Sequence, residues 1–206
     1  MTKRSFEILA MDEEDFKSAA GIMSQAFRSK MPLMKNFTDH EVAEFMLAGG
    51  LFDPSYLEGY YIGKVDGCLV GIIHLESWQS RKAKPSPPKD LRRLFSQFGV
   101  IRVLLSGLGL VFLEERLMKD ELYVDFIAID RSYRGQGIGS ALLKHGEAIG
   151  RAMTGIRRYT LGVIDENKRA RQLYEQLGFM VYETKSSRLT ELFTGVRVSH
   201  KLEKLI

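Results

Sequence analysis

The stretch that decides the fold of this chain is Asp130–Leu143, which reads DRSYRGQGIGSALL. Just before it, Leu122–Ile129 is a short apolar run rich in β-branched and aromatic residues, a pattern that predicts a buried strand. Just after it, apolar residues recur at helical spacing. Gly135, Gly137 and Gly139 lie between these two segments. The sequence therefore predicts a strand, a glycine-rich turn and the first turn of a helix.

A glycine-rich turn that opens a helix is chemically suited to a phosphate group. The first N–H groups of a helix have no partner within the helix, and the helix dipole places partial positive charge at this end. Glycine allows the backbone to approach a ligand closely. We therefore expect the N–H groups of residues 135–140 to bind a pyrophosphate. Arg131 and Arg134 would add charge-assisted contacts. An ordinary strand-to-helix turn, in which the glycines serve only packing, is the alternative.

Two common phosphate-binding motifs do not match this loop, because no lysine follows the glycines and their spacing is not Gly-x-Gly-x-x-Gly. The loop resembles the acyl-CoA loop of the GNAT acetyltransferases, Arg/Gln-x-x-Gly-x-Gly/Ala, which Arg134, Gly137 and Gly139 fill. A second segment, Asn167–Phe179 or NKRARQLYEQLGF, resembles the later block of that family, Asn-x-x-Ala-x-x-x-Tyr-x-x-x-Gly-Phe. With both blocks in the family's order, the chain is identified as a member of the GNAT superfamily.

The resemblance implies an α/β (α+β) architecture: the GNAT acyl-CoA N-acyltransferase fold, in which helices flank a mixed central sheet. No Pro/Gly/Ser-rich linker separates two periodic regions, so residues 1–206 are predicted to form a single GNAT N-acetyltransferase domain. The resemblance covers residues 120–203 well and 5–80 loosely. Residues 79–120 depart from the compact family pattern, and they are predicted to be a helical insertion before the central strand.

The predicted insertion begins with a basic loop, RKAKPSPPKD, whose prolines disfavour regular structure. Asp90 is expected to cap a long helix that includes an apolar run at 98–113. That run contains Arg102 and is shorter than the roughly 17–25 residues of a membrane span. We therefore expect no membrane span, and a helix that packs on the sheet, covers the acceptor site or forms a dimer surface. The basic residues at its entry form a solvated face, or they attract an acidic acceptor or the CoA 3′-phosphate.

Other local signals place the remaining elements. The acidic run Asp12–Asp15 and the capping box Thr38–Glu41 predict the starts of two helices, and Asp66-Gly67 predicts a tight hairpin. A further helix is expected from Asn167. The predicted strands are Ser5–Ala10, Gly59–Lys64, Cys68–Trp78, Leu122–Ile129, Arg158–Ile164, Met180–Lys185 and Val196–Leu202.

Composition limits the classes of function. The net charge is +4, but no nucleic-acid-binding motif is present, so nucleic acid is not an expected partner. The single cysteine, Cys68, excludes an internal disulfide and suits a reducing cytosol. Its place in a strand pattern predicts a small buried side chain. The N-terminal sequence lacks a signal-peptide core, so a cytoplasmic location is expected. The four histidines are scattered, and no metal centre is predicted; each histidine is expected to be structural or solvent-facing.

The resemblance implies acetyl-CoA as the acyl donor. The glycine loop would hold the pyrophosphate of acetyl-CoA, and the backbone of the central strand would hold its pantetheine arm. Asn167 would help to hold the cofactor. By the same resemblance, Tyr174 is the acid that protonates the leaving thiolate, unless it only packs between helix and sheet. The implied cofactor-binding residues are Ile127, Ala128, Ile129, Arg134, Gly135, Gln136, Gly137, Ile138, Gly139, Ser140, Asn167 and Tyr174.

The base that deprotonates the acceptor amine is harder to assign. Many relatives carry a glutamate on the strand after the central helix, but the matching position here is Gly162. Strand alternation would place Tyr123, Asp125, Ile127 and Ile129 on one face. A carboxylate in an apolar strand is costly unless it is paired or functional, so Asp125 is the catalytic candidate, as a base or a water-positioning residue. The alternative is that Asp125 forms a structural hydrogen bond or pairs with an arginine, and that water carries the proton.

Three functions fit these observations. The first is an N-acetyltransferase that moves an acetyl group from acetyl-CoA to a primary amine by direct attack. The second is a CoA-binding regulatory or interaction module with little catalysis, and the third is a nucleotide-binding protein that ATP would stabilise. The acceptor, a small-molecule or peptide amine, has no motif of its own, because one fold serves many substrates. The segments expected to face it are 30–60, 79–120 and 186–195. Dimers are common in the family, so a homodimer is also possible.

Overall fold

Seven strands form one sheet in the computed structural model, which describes residues 5–28, 36–54, 56–81, 91–100, 103, 116–188, 191 and 195–206. The strands are β1 (Phe6–Ala10), β2 (Tyr60–Val65), β3 (Cys68–Ser77), β4 (Glu121–Ile129), β5 (Arg158–Ile164), β6 (Met180–Ser186) and β7 (Val198–Leu205). Their order across the sheet is β1–β2–β3–β4–β5–β7–β6. The neighbours β4 and β5 are parallel, and the other neighbouring pairs are antiparallel.

The helices begin where the sequence provides caps or a change of direction. They are α1 (Phe16–Phe27), α2 (Asp39–Ala48), α3 (Trp78–Arg81), α4 (Leu91–Phe98), α5 (Ile138–Ala152) and α6 (Lys168–Gln176). At the start of α2, Thr38 Oγ1 accepts a hydrogen bond from Glu41 N at 3.2 Å, and Glu41 Oε2 accepts one from Thr38 N at 2.8 Å. This reciprocal pair is the predicted capping box. Asp12 caps a short 3-10 turn that leads into α1.

The predicted hairpin joins β2 to β3. Val65 pairs with Cys68 across a two-residue turn, in which Asp66 has φ +50° and Gly67 has φ +79°. Positive φ at both residues is the turn type whose twist matches the flanking strands. Cys68 directly follows this turn and is exposed. The prediction of a buried cysteine is therefore wrong, because the strand is not yet covered at its first residue.

Helices cover both faces of the sheet, and the described residues form a core on each face. On one face, α5 and α6 pack on a core that includes Leu122, Val124 and Leu142. On the other face, α1 and α2 pack on a core that includes Ile62 and Ile72. A mixed sheet between helices is a stable layered arrangement because each apolar face is buried. The predicted α/β (α+β) fold class is confirmed.

A β-bulge interrupts the central strand β4. Leu75 of β3 pairs with Val124, and the preceding residue His74 pairs with Phe126, so Asp125 has no partner on β3. An extra residue of this kind shifts the alternation of side chains by one position.

The bulge changes which residues share a face of β4. Val124 lies in the core under α5, and beyond the bulge it is Ile127 and Ile129 that pack against this core. Asp125 points to the opposite face, towards α1, where it meets a side chain of β3. The prediction that Tyr123, Asp125, Ile127 and Ile129 share one face is therefore wrong, since strict alternation does not survive the bulge.

The first helix of the predicted insertion packs on α2. Leu94 and Phe98 of α4 are buried. The Phe98 ring lies 5.1 Å from the ring of Phe45 and 6.1 Å from that of Phe37, measured between centroids. Helix α4 is therefore held by an aromatic cluster with α2 and the residues just before it.

Part of the insertion lies outside the described residues. The structure does not describe the basic loop at 82–90, or residues 101–102 and 104–115, which hold most of the apolar run. It also does not describe residues 189–190 and 192–194 of the segment 186–195 that is expected to face the acceptor. Within the part of the chain that the structure describes, no helix is long and apolar enough to cross a membrane.

Candidate active site

The central strands β4 and β5 separate partway along their length. Their parallel pairing ends at Val124–Leu161, although β4 continues to Ile129 and β5 to Ile164. The outer edges of both strands stay paired, with β3 and with β7. Beyond the last pair, the facing edges of β4 and β5 have no strand partner among the described residues. A cleft therefore opens in the middle of the sheet.

The predicted backbone contacts lie on one wall of this cleft. Ile127, Ala128 and Ile129 follow the last β4–β5 pair, and their other edge is paired with β3. An unpaired strand edge offers backbone N–H and C=O groups to an extended, amide-containing ligand. These residues are therefore placed to bind such a ligand as an added strand.

The glycine loop lies at the end of β4. Gly135 and Gly137 have φ +79° and +83°, a conformation that favours glycine. Gly137 is the N-cap of α5, and the first helical bond runs from Ala141 N to Gly137 O at 3.0 Å. The N–H groups of residues 138–140 consequently have no acceptor among the described residues, and they add to the positive end of the helix dipole.

Gly139 is not required by packing. A Cβ at this position would lie 3.7 Å from Leu173 and 3.8 Å from Ile129, which are ordinary contacts. Gly135 differs, because a Cβ there would meet the Arg169 guanidinium at 3.3 Å. The alternative, in which the glycines serve only packing, therefore does not explain why residue 139 is a glycine.

The two arginines of the loop are engaged in bonds within the chain. Arg134 donates from Nε to the carbonyl of Ile129 at 3.0 Å. Arg131 donates from its guanidinium to the carbonyl of Gln25 at 3.1 Å and lies 3.7 Å from Asp39. Arg131 thus ties the loop to the end of α1 and the start of α2, while Arg134 braces the end of β4.

The two residues taken from the later block lie beside β5. Asn167 is the N-cap of α6, and its Oδ1 accepts from Ala170 N at 3.4 Å, which leaves its amide N–H groups as donors. Tyr174 lies in the α5-side core with Val124 and Leu161, the last pair before the cleft. Its hydroxyl has no hydrogen-bond partner among the residues described. Burial raises the pKa of Tyr174 to about 12, so it stays protonated at neutral pH.

Asp125 stands where the cleft begins, one residue after the last β4–β5 pair. Its side chain is 41% exposed, and Oδ2 lies 3.1 Å from Nδ1 of the buried His74. The carboxylate is therefore partly exposed on one side and contacted on the other by an imidazole. Tyr123, two residues earlier, faces β5, where its hydroxyl lies 3.4 Å from the Cβ position of Gly162. A glutamate at 162 would have to compete with this phenol for space.

Sequence reasoning missed two polar residues of β3, His74 and Glu76. Glu76 is buried and accepts a hydrogen bond from Arg81 Nε at 2.8 Å. The available signal was two polar side chains at i and i+2 in the otherwise apolar run GIIHLES, which places them on one face. This is the same kind of signal that identified Asp125, and the three side chains meet across the β3–β4 pair.

The donor atoms of His74, Glu76 and Asp125 lie within 4.8 Å of one another. The sequence predicts no metal centre; among the residues that the structure describes, these three come within the separation of metal ligands. The Arg81 guanidinium, which forms an ion pair with Glu76, already supplies positive charge to this cluster.

Comparison with known proteins identifies the family. The model of the acetyltransferase (GNAT) family matches residues 23–179. The chain therefore belongs to the GNAT acetyltransferase family. A 5-NmdU N-acetyltransferase of Pseudomonas phage PaMx11 is 34% identical over 73 residues, which are 35% of this chain and 49% of the phage protein. The chain thus matches about half the length of that curated relative.

Solved structures share the fold. One acetyltransferase superposes with a TM-score of 0.65 at 21% identity, over 97% of this chain and 99% of its own. An N-acetyltransferase from Staphylococcus aureus Mu50 gives 0.64 at 18% identity, over 96% and 100%. PaiA N-acetyltransferase from Thermoplasma acidophilum in complex with coenzyme A gives 0.59 at 15% identity, over 98% and 99%. At these identities the likeness establishes the fold.

Proposed function

We propose that this protein transfers an acetyl group from acetyl-CoA directly to a primary amine. The observation that carries the proposal is the cleft between β4 and β5, which has the glycine loop at its mouth and Asp125 at its closed end. The phosphates of an acyl-CoA would lie at the glycine loop, its amides along the cleft and its thioester near Asp125. Membership of the GNAT family supports the same reaction.

The residues at the cleft suit each part of acetyl-CoA. The pyrophosphate fits the free N–H groups of residues 138–140, which lie at the start of a fifteen-residue helix. The pantetheine amides fit the unpaired edge of Ile127–Ile129, and the Asn167 amide, which follows β5, is free to donate to the same ligand. Bound in this way, the thioester supplies an electrophilic carbonyl carbon, and the protein supplies binding, orientation and proton transfer.

Two proton transfers complete the reaction. As the C–N bond forms and the C–S bond breaks, Asp125 accepts the proton that the amine loses, and Tyr174 donates a proton to the sulfur. Asp125 suits the first role because its carboxylate is 41% exposed and it directly follows the last β4–β5 pair. Tyr174 suits the second because burial keeps the phenol protonated. The acceptor class is a primary amine, and the half-exposed carboxylate favours a cationic one.

Stability measurements with and without acetyl-CoA test the cofactor assignment. A ligand at a hundred times its dissociation constant stabilises the folded state by about 2.7 kcal/mol, and we expect acetyl-CoA to raise the melting temperature of the wild type. Gly137→Asp should abolish the shift, because its carboxylate would face the pyrophosphate. Gly155→Asp is the matched control: both glycines have positive φ, +83° and +87°, and open space around the Cβ position. If both variants respond to acetyl-CoA like the wild type, the loop is an ordinary turn.

Replacing Tyr174 with phenylalanine tests the proposed acid. We expect kcat to fall about 100-fold, the lower part of the range for general acid catalysis, because a thiolate leaves more readily than an alkoxide. Tyr159→Phe is the control, since Tyr159 is buried in the same core and its hydroxyl has no hydrogen-bond partner among the described residues. Thiol release would be followed with a panel of putrescine, spermidine, lysine, a lysine peptide and 5-NmdU. Unchanged turnover in Tyr174→Phe would remove this residue from the mechanism.

The second candidate function, a CoA-binding module with little catalysis, is separated by the same two measurements. That module would show the acetyl-CoA stabilisation and its loss in Gly137→Asp, but no thiol release with any amine of the panel. The absence of a glutamate at Gly162 is the observation that favours it.

A further inference from the structure

His74 holds the Asp125 carboxylate from the buried side. Its Nδ1 lies 3.1 Å from Asp125 Oδ2. The histidine is only 2% exposed, and its ring stacks on Tyr60 with centroids 3.9 Å apart and an angle of 17°. The ring of Phe126 packs against the imidazole, with the two ring centroids 5.6 Å apart. The imidazole is therefore a rigid group, whereas the carboxylate it contacts is half-exposed on a bulged residue.

The contact with Asp125 fixes which ring nitrogen of His74 carries a hydrogen. An ionised carboxylate only accepts, so His74 Nδ1 must carry the hydrogen. Nε2 is buried and has no partner in the part of the chain described, and a hydrogen on Nε2 would be a buried, unsatisfied donor. Glu76 lies within 4.8 Å of both His74 and Asp125, and it is paired with Arg81, so that these two charges largely offset each other. The tautomer with hydrogen on Nδ1 satisfies both requirements.

We propose that His74 is a positioning residue for acetyl transfer: its Nδ1–H group fixes Asp125 Oδ2, and Oδ1 is thereby presented to the acceptor amine. This inference rests on the proposed function, because it needs Asp125 to be the group that takes the proton. His74 lies behind the carboxylate and does not touch the reacting atoms. It acts by preventing the carboxylate from rotating away from the cleft, and a misplacement of about 1 Å at a reacting group costs about 100-fold in rate.

The tautomer is measured first, in the intact wild-type protein. The chain has four histidines, so a long-range ¹H–¹⁵N NMR spectrum of the rings contains few signals, and the His74 variants below assign the one that matters. We expect hydrogen on Nδ1 of His74, because this nitrogen lies 3.1 Å from Asp125 Oδ2. Hydrogen on Nε2 with none on Nδ1 would overturn the proposal. This readout needs no acceptor and no active variant.

A pair of variants then separates positioning from packing. In His74→Asn the side-chain amide nitrogen stands at the same number of bonds from Cα as Nδ1, so the hydrogen bond to Asp125 can be kept. In His74→Gln it stands one bond further, at the place of Nε2. We expect kcat of His74→Asn to stay close to that of the wild type and kcat of His74→Gln to fall about 100-fold, with KM for acetyl-CoA unchanged in both.

The outcomes separate this inference from the proposed function. Equal losses of kcat in both variants, or losses that follow their melting temperatures, would mean that His74 only packs, and the positioning role would fall. If Asp125→Asn itself keeps full activity, the proposed base is excluded and the positioning role with it, whatever the tautomer of His74. Loss in Asp125→Asn with no loss in either His74 variant would overturn the positioning role alone.

Discussion

Asp125→Asn is expected to lower kcat by about 1,000-fold at neutral pH, within the range for loss of a general base. Asparagine has the shape of aspartate, and its Oδ1 can still accept the hydrogen bond from His74 Nδ1. What it loses is the ability to take a proton from the acceptor amine. The defect should therefore appear in kcat, while the affinity for acetyl-CoA stays at the wild-type value.

The pH dependence of this defect gives the sharper measurement. Without the carboxylate, the amine must lose its proton to solvent before it attacks, so the rate of Asp125→Asn should rise about tenfold per pH unit towards an amine pKa of about 10.4, the value for lysine. The wild type should not show this rise to the same degree. Burial holds the pKa of Tyr174 at about 12, so the proposed acid remains protonated throughout and does not distort the comparison.

Asp165→Asn is the matched control. Asp165 also pairs with a largely buried histidine, His200, at 3.0 Å, and its side chain is 51% exposed. It follows β5 and its N–H group bonds to the carbonyl of Val198, on the β7 side of that strand. We expect this variant to keep its turnover. A wild-type rate in Asp125→Asn at every pH would show instead that water alone carries the proton.

Local signals in the sequence account for the parts of the fold that depend on few residues. The Asp66-Gly67 turn, the Thr38–Glu41 capping box and the apolar run of β4 each form as predicted, because each depends on interactions within a few positions. The same holds for the glycine loop, where positive φ at Gly135 and Gly137 requires the residue type that is present. These elements place the loop and the central strand without information from the rest of the chain.

The candidate site depended on pairing between distant segments, and here local patterns were insufficient. The bulge at Asp125 is set by the register of β3 on β4, so no alternation within β4 alone reveals it. His74 lies 51 residues before Asp125, and its role becomes visible only when the two strands are side by side. The engagement of Arg134 with the Ile129 carbonyl likewise depends on the path of the loop in three dimensions.

Gly59→Ala is expected to lower the free energy of unfolding by about 2–5 kcal/mol, through backbone strain of about 1–2 and overpacking of about 1–3 kcal/mol. Gly59 has φ +87°, and a Cβ there would lie 2.1 Å from the carbonyl oxygen of Leu75. Leu75 cannot move aside easily, because its own N–H group donates to Gly59 O at 2.9 Å. For a chain of this length the melting temperature should fall by about 4–20 °C.

Gly155→Ala separates the two causes, since Gly155 has the same φ of +87° but nothing within 4 Å of its Cβ position. Urea unfolding of both variants should show the backbone term alone in Gly155→Ala, about 1–2 kcal/mol, and a larger loss in Gly59→Ala. Equal losses of unfolding free energy in the two variants would mean that the Leu75 carbonyl moves aside. Because Leu75 and His74 form the β3 side of the bulge, any folded Gly59→Ala protein should also lose turnover, whereas Gly155→Ala should not. The tight approach of Gly59 to β3 thus links the stability of the sheet to the placement of Asp125.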